Sequence, residues 1–117
     1  MKRARCPSWP VSIFVAGDID EARKICRTFC DEEGLCVTVT PTTYVYTRGE
    51  EVGVIVGLIN YPRFPAPPWD IEAKATLLGL ELMYKLEQTS VSIQTPEETR
   101  WFSIRADDIA EARTIGD

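Results

Sequence analysis

Val11-Ser12-Ile13-Phe14-Val15-Ala16-Gly17-Asp18-Ile19-Asp20-Glu21 is the stretch on which the fold turns. Its first six residues alternate Val11, Ile13 and Val15 with Ser12, Phe14 and Ala16, the period of a strand with one buried face. Gly17 ends the alternation. Asp18 then stands where a helix N-cap belongs, and Glu21 completes a capping box. The period changes to that of a helix, with Ile19, Ala22, Ile25, Cys26, Phe29 and Cys30 on one stripe and Gly34 as the stop. The chain therefore opens with a strand followed by an amphipathic helix that packs back on it.

The segments that follow extend this unit. Leu35 to Thr47 is rich in Val, Thr and Tyr and reads as a strand, with Pro41 marking a bulge or an edge. Arg48-Gly49-Glu50-Glu51 supplies a turn. Val52 to Tyr61 reads as the returning strand, with Val52, Val54, Val56 and Leu58 on one face and Gly53 and Gly57 on the other. Two glycines on one face imply close approach by a helix or a partner. Tyr61-Pro62-Arg63-Phe64-Pro65-Ala66-Pro67-Pro68-Trp69 holds four prolines and reads as extended and stiff. Asp70 is the expected cap of a second helix, Ile71 to about Gln88. Val91 to Thr95 and Arg100 to Arg105 read as two strands around Pro96, and a short helix follows. A β-α-β-β-α-β core with an extra C-terminal strand and a short helical tail is the ferredoxin-like two-layer α+β sandwich. Residues 1–10 are expected as a flexible basic arm, 11–105 as the single domain and 106–117 as the tail.

The chain has 117 residues, enough for one domain with one modest core. Thirteen Lys and Arg stand against eighteen Asp and Glu, a net charge of −5. An acidic body repels a phosphate backbone, so non-specific nucleic-acid binding is not expected. The basic start lacks the apolar run of a secretion signal, and no apolar segment is long enough to span a bilayer. A cytoplasmic protein is expected, with Cys6, Cys26, Cys30 and Cys36 as reduced thiols. Cys26 and Cys30 fall on the buried helix stripe, so core packing is their plainer reading, and no metal is expected.

The sequence contains no histidine. Ser-His and Cys-His nucleophiles are absent, and so are the glycine-rich phosphate loops. No catalytic residue, no cofactor and no enzymatic activity are expected. Two surfaces stand out. Tyr44, Tyr46 and Arg48 on the hairpin, with Tyr61, Arg63, Phe64 and Trp69 on the proline segment, form a ligand surface if they converge, suited to stacking and charge. On the second helix Ile71, Ala75, Leu78, Leu82 and Leu86 form a core stripe. Ala73, Leu77, Leu80 and Tyr84 form a second apolar stripe nearly opposite. A helix apolar on two sides is covered on two sides, so a partner or oligomer interface is expected there, most simply a two-fold dimer.

Ser12-Ile13-Phe14-Val15-Ala16-Gly17-Asp18, Gly34-Leu35-Cys36-Val37-Thr38-Val39-Thr40 and Gly57-Leu58-Ile59-Asn60-Tyr61-Pro62-Arg63-Phe64-Pro65 resemble small uncharacterised proteins of tailed bacteriophages, over roughly residues 11–105. The resemblance implies a protein made inside an infected bacterium and brings no site residues. Taken together, the sequence is read as that of a small acidic non-enzymatic interaction protein. It would bind and modulate a host protein, such as a defence or transcription component. The alternative is a nucleotide or small-ligand binder, a sensor or sponge, using the aromatic and arginine surface.

Overall fold

The first strand, β1 (Val11–Ala16), is the axis of the molecule in the computed structural model, which describes residues 1–115 and side chains through Glu111. It feeds α1 (Ile19–Glu33), and the Asp18 carboxylate accepts from the Glu21 amide as the capping pattern predicts. Gly34 takes the left-handed conformation and closes the helix on the Cys30 carbonyl. Then come β2 (Thr38–Tyr46), β3 (Gly49–Leu58), α2 (Pro68–Lys85), β4 (Ser90–Gln94), β5 (Thr99–Ser103) and α3 (Ala106–Ile115). The five strands form one sheet in the order β2-β3-β1-β4-β5, and every neighbouring pair is antiparallel. The fold is α+β. Residues 116 and 117 of the expected tail lie outside the described residues.

The alternation of β1 sets the core. Val11, Ile13 and Val15 point to one face and meet Val54, Val56 and Leu58 of β3 and Val91 and Ile93 of β4. Onto this face pack Ala22, Ile25, Cys26 and Phe29 of α1, and Ile71, Ala75, Leu78, Leu82 and Met83 of α2. Ile13, Ile93, Leu78 and Leu82 are fully buried. Each such aliphatic side chain contributes about 1.5–3 kcal/mol by leaving water. The helix comes down closely at Gly79, where a Cβ would stand 3.1 Å from Ile93. The opposite face of the sheet carries Phe14, Ile55 and Trp101, and Trp101 is 53% exposed.

Several boundaries differ from the sequence expectation. The β2–β3 loop is only Thr47-Arg48, with Arg48 at φ 69°, so Gly49, Glu50 and Glu51 already belong to β3. The last prolines do not precede α2 but begin it. Pro67 is the N-cap and Pro68 the first helical residue, a place where the missing amide costs nothing. Asp70 is therefore not the cap. It lies in the first turn, where the helix dipole favours its charge, 3.3 Å from Lys74.

The glycines of β3 also have a different cause. The Tyr44 ring lies over Gly53, where a Cβ would come within 2.6 Å of the Val15 carbonyl and still closer to the ring. Thr38 occupies the space beside Gly57, and the Tyr46 ring lies over Gly49. The close approach comes from the chain's own neighbouring strands, β2 and, at Gly53, β1, where a helix or a partner was expected. On α2, Leu77 and Tyr84 are 54% and 61% exposed and Ala73 is exposed. Leu80 is half-buried against the core.

Gly53→Ala tests this account. The Val15 carbonyl is backbone and cannot step aside, so the substitution is expected to lower unfolding stability by about 2 kcal/mol. Urea denaturation checks it; an unchanged midpoint would refute the close packing.

Candidate functional site

Three chain ends meet at one end of the sheet. The α1 stop brings Gly34, Leu35 and Cys36. The end of β3 brings Leu58, Ile59, Asn60 and Tyr61, and the proline loop adds Phe64, Pro65 and Ala66. The first turns of α2 supply Asp70, Ile71 and Lys74. Between them lies a cavity of about 220 Å³. Ordinary small-molecule sites span roughly 300–1,000 Å³, so this cavity has room for part of such a molecule.

The walls have distinct chemistry. Tyr61 and Phe64 form a ring pair, with centroids 5.2 Å apart and planes tilted by 30°. The turn that presents them closes through the Phe64 amide on the Tyr61 carbonyl. Contact with the Cys36 thiol, and then burial, pushes the Tyr61 phenol up to about 12. At neutral pH it is therefore a hydrogen-bond donor and not a base. Cys30 is pushed up by burial and by neighbouring Cys36, and burial pushes Cys26 up to about 11. Those two thiols are poor nucleophiles. Asp70 and Lys74 give the cavity one acid and one base. Their pairing needs only an i, i+4 spacing on one helix, a signal present in the sequence.

Asn60 is one of two buried polar residues among the described side chains. Its Nδ2 donates to the Pro7 carbonyl at 2.9 Å, and its Oδ1 accepts from the Ala66 amide at 3.0 Å. The Cys6 thiol reaches its backbone carbonyl at 3.5 Å. Trp9 donates to Glu72 at 2.8 Å, and the same carboxylate takes Arg100 of β5 at 2.6 Å. Residues expected as a loose arm are thus bonded to the body at several points. No spacing rule announces these pairings, because all but the Asn60–Ala66 bond join segments far apart in the chain.

The aromatic and arginine set expected to converge is divided between two places. Tyr61 and Phe64 line the cavity just described. Tyr44 and Tyr46 line a second hollow of about 410 Å³ on the outer sheet face, with Phe14, Glu51, Ser92 and Arg105. There the Tyr44 hydroxyl donates to the Val54 carbonyl and the Tyr46 hydroxyl to Glu51. Arg105 holds the Thr89 and Ser90 hydroxyls. Arg48 stands at the hairpin tip, Arg63 is exposed, and Trp69 is 72% exposed; none of the three lines either hollow.

The titration of Tyr61 tests the cavity wall. The folded chain holds this proton more tightly than the unfolded chain. Its contribution to stability is therefore whole below pH 10 and lost as pH rises through about 12. Phenolate absorbance should show a tyrosine titrating at about 12, and Cys36→Ala should move it back toward the ordinary value. No change in that variant would remove the thiol contact from the account.

No family model matches the sequence, and no curated protein matches it. Solved structures do. A phage SAM lyase in its apo state superposes with a TM-score of 0.75 at 19% identity, covering 90% of this chain and 96% of its own. A phage SAM lyase in complex with S-methyl-5'-thioadenosine superposes with a TM-score of 0.64 at 16% identity, covering 88% and 95%. The phage source of both agrees with the resemblance to phage proteins, though no sequence family stands behind it. Among the described residues no helix is long and apolar enough to cross a membrane. The comparisons overturn the expectation of a non-enzymatic protein that binds and modulates a host defence or transcription component. The fold neighbours are enzymes, and one holds a small thionucleoside. The faulty step was physical: lack of a histidine excludes chemistry that needs a neutral-pH base, not chemistry in which the substrate carries its own leaving group. Likeness at this identity establishes a shared fold, that of phage SAM lyases.

Proposed function

We propose that this chain binds a sulfonium nucleoside of the SAM type and cleaves its carbon–sulfur bond as a lyase, in the cavity between the end of α1 and the start of α2. The observation that carries the reading is the fold likeness over 90% of the chain to a phage SAM lyase. It is supported by a cavity that combines aromatic faces, one acid and one base. The strand order is read as the ferredoxin-like arrangement with β5 added at one edge, and the source as a phage.

The chemistry suits a chain without histidine. The faces of Tyr61 and Phe64 attract a cation, and Asp70 complements it. Lys74 can meet the carboxylate of the amino-acid part. When the bond breaks, its electron pair goes to sulfur, and a neutral thioether, S-methyl-5'-thioadenosine, departs. The four-carbon fragment then either loses a proton from the adjacent carbon or closes on its own carboxylate oxygen. The second route asks no base of the protein. Either way positive charge vanishes from sulfur along the reaction. Apolar walls such as Leu35, Leu58 and Ile59 therefore weigh against the charged ground state more than against the transition state.

Incubation with SAM and chromatography of the products tests the reading; release of S-methyl-5'-thioadenosine is expected. Tyr61→Ala should weaken binding of that neutral nucleoside about tenfold, the loss of a stacking face for its base. Absence of both cleavage and binding at millimolar ligand would sink the proposal. The larger outer hollow supports a second location for the same ligand. Loss of binding in Tyr46→Ala with none in Tyr61→Ala would move the site there. The exposed Leu77 and Tyr84 face of α2 is read as a self-association surface. Leu77→Asp should lower the solution mass by light scattering without unfolding the chain, and an unchanged mass refutes it.

A further inference from the structure

Asn60 stands at the joint between the aromatic loop and the segment before β1. Its carboxamide uses both ends, donating to Pro7 and accepting from Ala66. The residue is 9% exposed and borders the cavity that Tyr61 and Phe64 wall. The Ala66 bond draws a ring across the loop from 60 to 66, so the two aromatic side chains are carried on a segment pinned at both ends. The Pro7 bond ties that ring to residues 6–9, which Trp9 anchors independently to Glu72 on α2. A proline-rich loop has few backbone amides with which to hold itself in place. One side chain therefore supplies what the backbone lacks.

We propose that Asn60 is the positioning residue of the candidate ligand cavity, and that through it the segment Cys6–Trp9 is a working part of that site. The inference rests on the cavity being the ligand site. Asn60 acts through the loop and not on the substrate. Loss of its clamp leaves Tyr61 and Phe64 present but unplaced, and a cavity this small tolerates little misplacement.

Asn60→Asp separates the two bonds. The carboxylate still accepts from Ala66 but faces the Pro7 carbonyl with an oxygen, so only the Pro7 tie is lost. With S-methyl-5'-thioadenosine as probe, titration calorimetry should show about five- to tenfold weaker binding, the weight of one part-buried hydrogen bond. NMR backbone order parameters should fall at Cys6 and Ser8 while amide hydrogen exchange still protects Ala66, and the melting temperature should fall because a carboxylate is held against a carbonyl. Trp9→Ala loosens the same segment without touching Asn60 and should weaken binding in the same direction. Asn60→Ala should also release Ala66. Wild-type affinity in Asn60→Asp with Cys6 and Ser8 released would overturn the segment's role, and unchanged order at those two residues would overturn the clamp. If the wild-type chain fails to bind the probe, the ligand reading falls by itself. The clamp is then judged by exchange at Ala66 in Asn60→Ala: faster exchange supports it and unchanged exchange refutes it.

Discussion

Burial of β1 on its helix-facing side is the constraint from which the rest follows. It is the central strand of the five, between β3 and β4, and its register fixes theirs: Ile13 stands opposite both Val56 and Ile93. A slip of one residue would turn Val11, Ile13 and Val15 toward water and Ser12, Phe14 and Ala16 toward the helices. Once that register holds, α1 and α2 share one face. Their ends then meet at the end of β3, and this meeting makes the cavity. The site is a by-product of how the core closes.

The elements that carry their own punctuation were legible in the sequence. Asp18, Glu21 and Gly34 state where α1 begins and ends, and the structure places it there. The proline run was read too literally: a proline is excluded from a helix interior but welcome at its first residue, so Pro67 and Pro68 could not be assigned by type alone. The β3 glycines were legible as close approach, but not what approaches, because the Tyr44 ring crosses from the neighbouring strand. The candidate site was half legible. Tyr61 and Phe64 were marked by residue type, whereas Asn60 and the thiol beside Tyr61 depend on contacts that no local period encodes. Cys36 reaches Tyr61 across 25 residues of chain.

The reading of function turned on what a missing residue type excludes. A chain with no histidine, and with the Tyr61 phenol of the cavity pushed upward, offers neither an imidazole nor a phenolate there at neutral pH. That rules out a wide range of hydrolytic and nucleophilic mechanisms. It leaves reactions in which the substrate is already activated, and a sulfonium is one. For the proposed lyase the protein's task would be to select a shape, to keep water out and to hold a flexible substrate in a reactive conformation.

The place of Pro41 bears on how the protein lives in a crowded cell. β2 is an edge strand, and its nine residues would otherwise present an unbroken row of donors and acceptors. The Gly17 amide bonds the Val52 carbonyl, so Val52 and, two residues on, Val54 turn their backbone groups toward β1. Pro41, opposite Val54, therefore turns its nitrogen away from β3 and toward the open edge. A ring without an N–H thus interrupts one of the two edges, β2 and β5, from which the sheet could template growth from molecule to molecule. The chain gains resistance to fibrous polymerisation at that edge from a single position, at no cost to the ladder that holds β2 in its own fold.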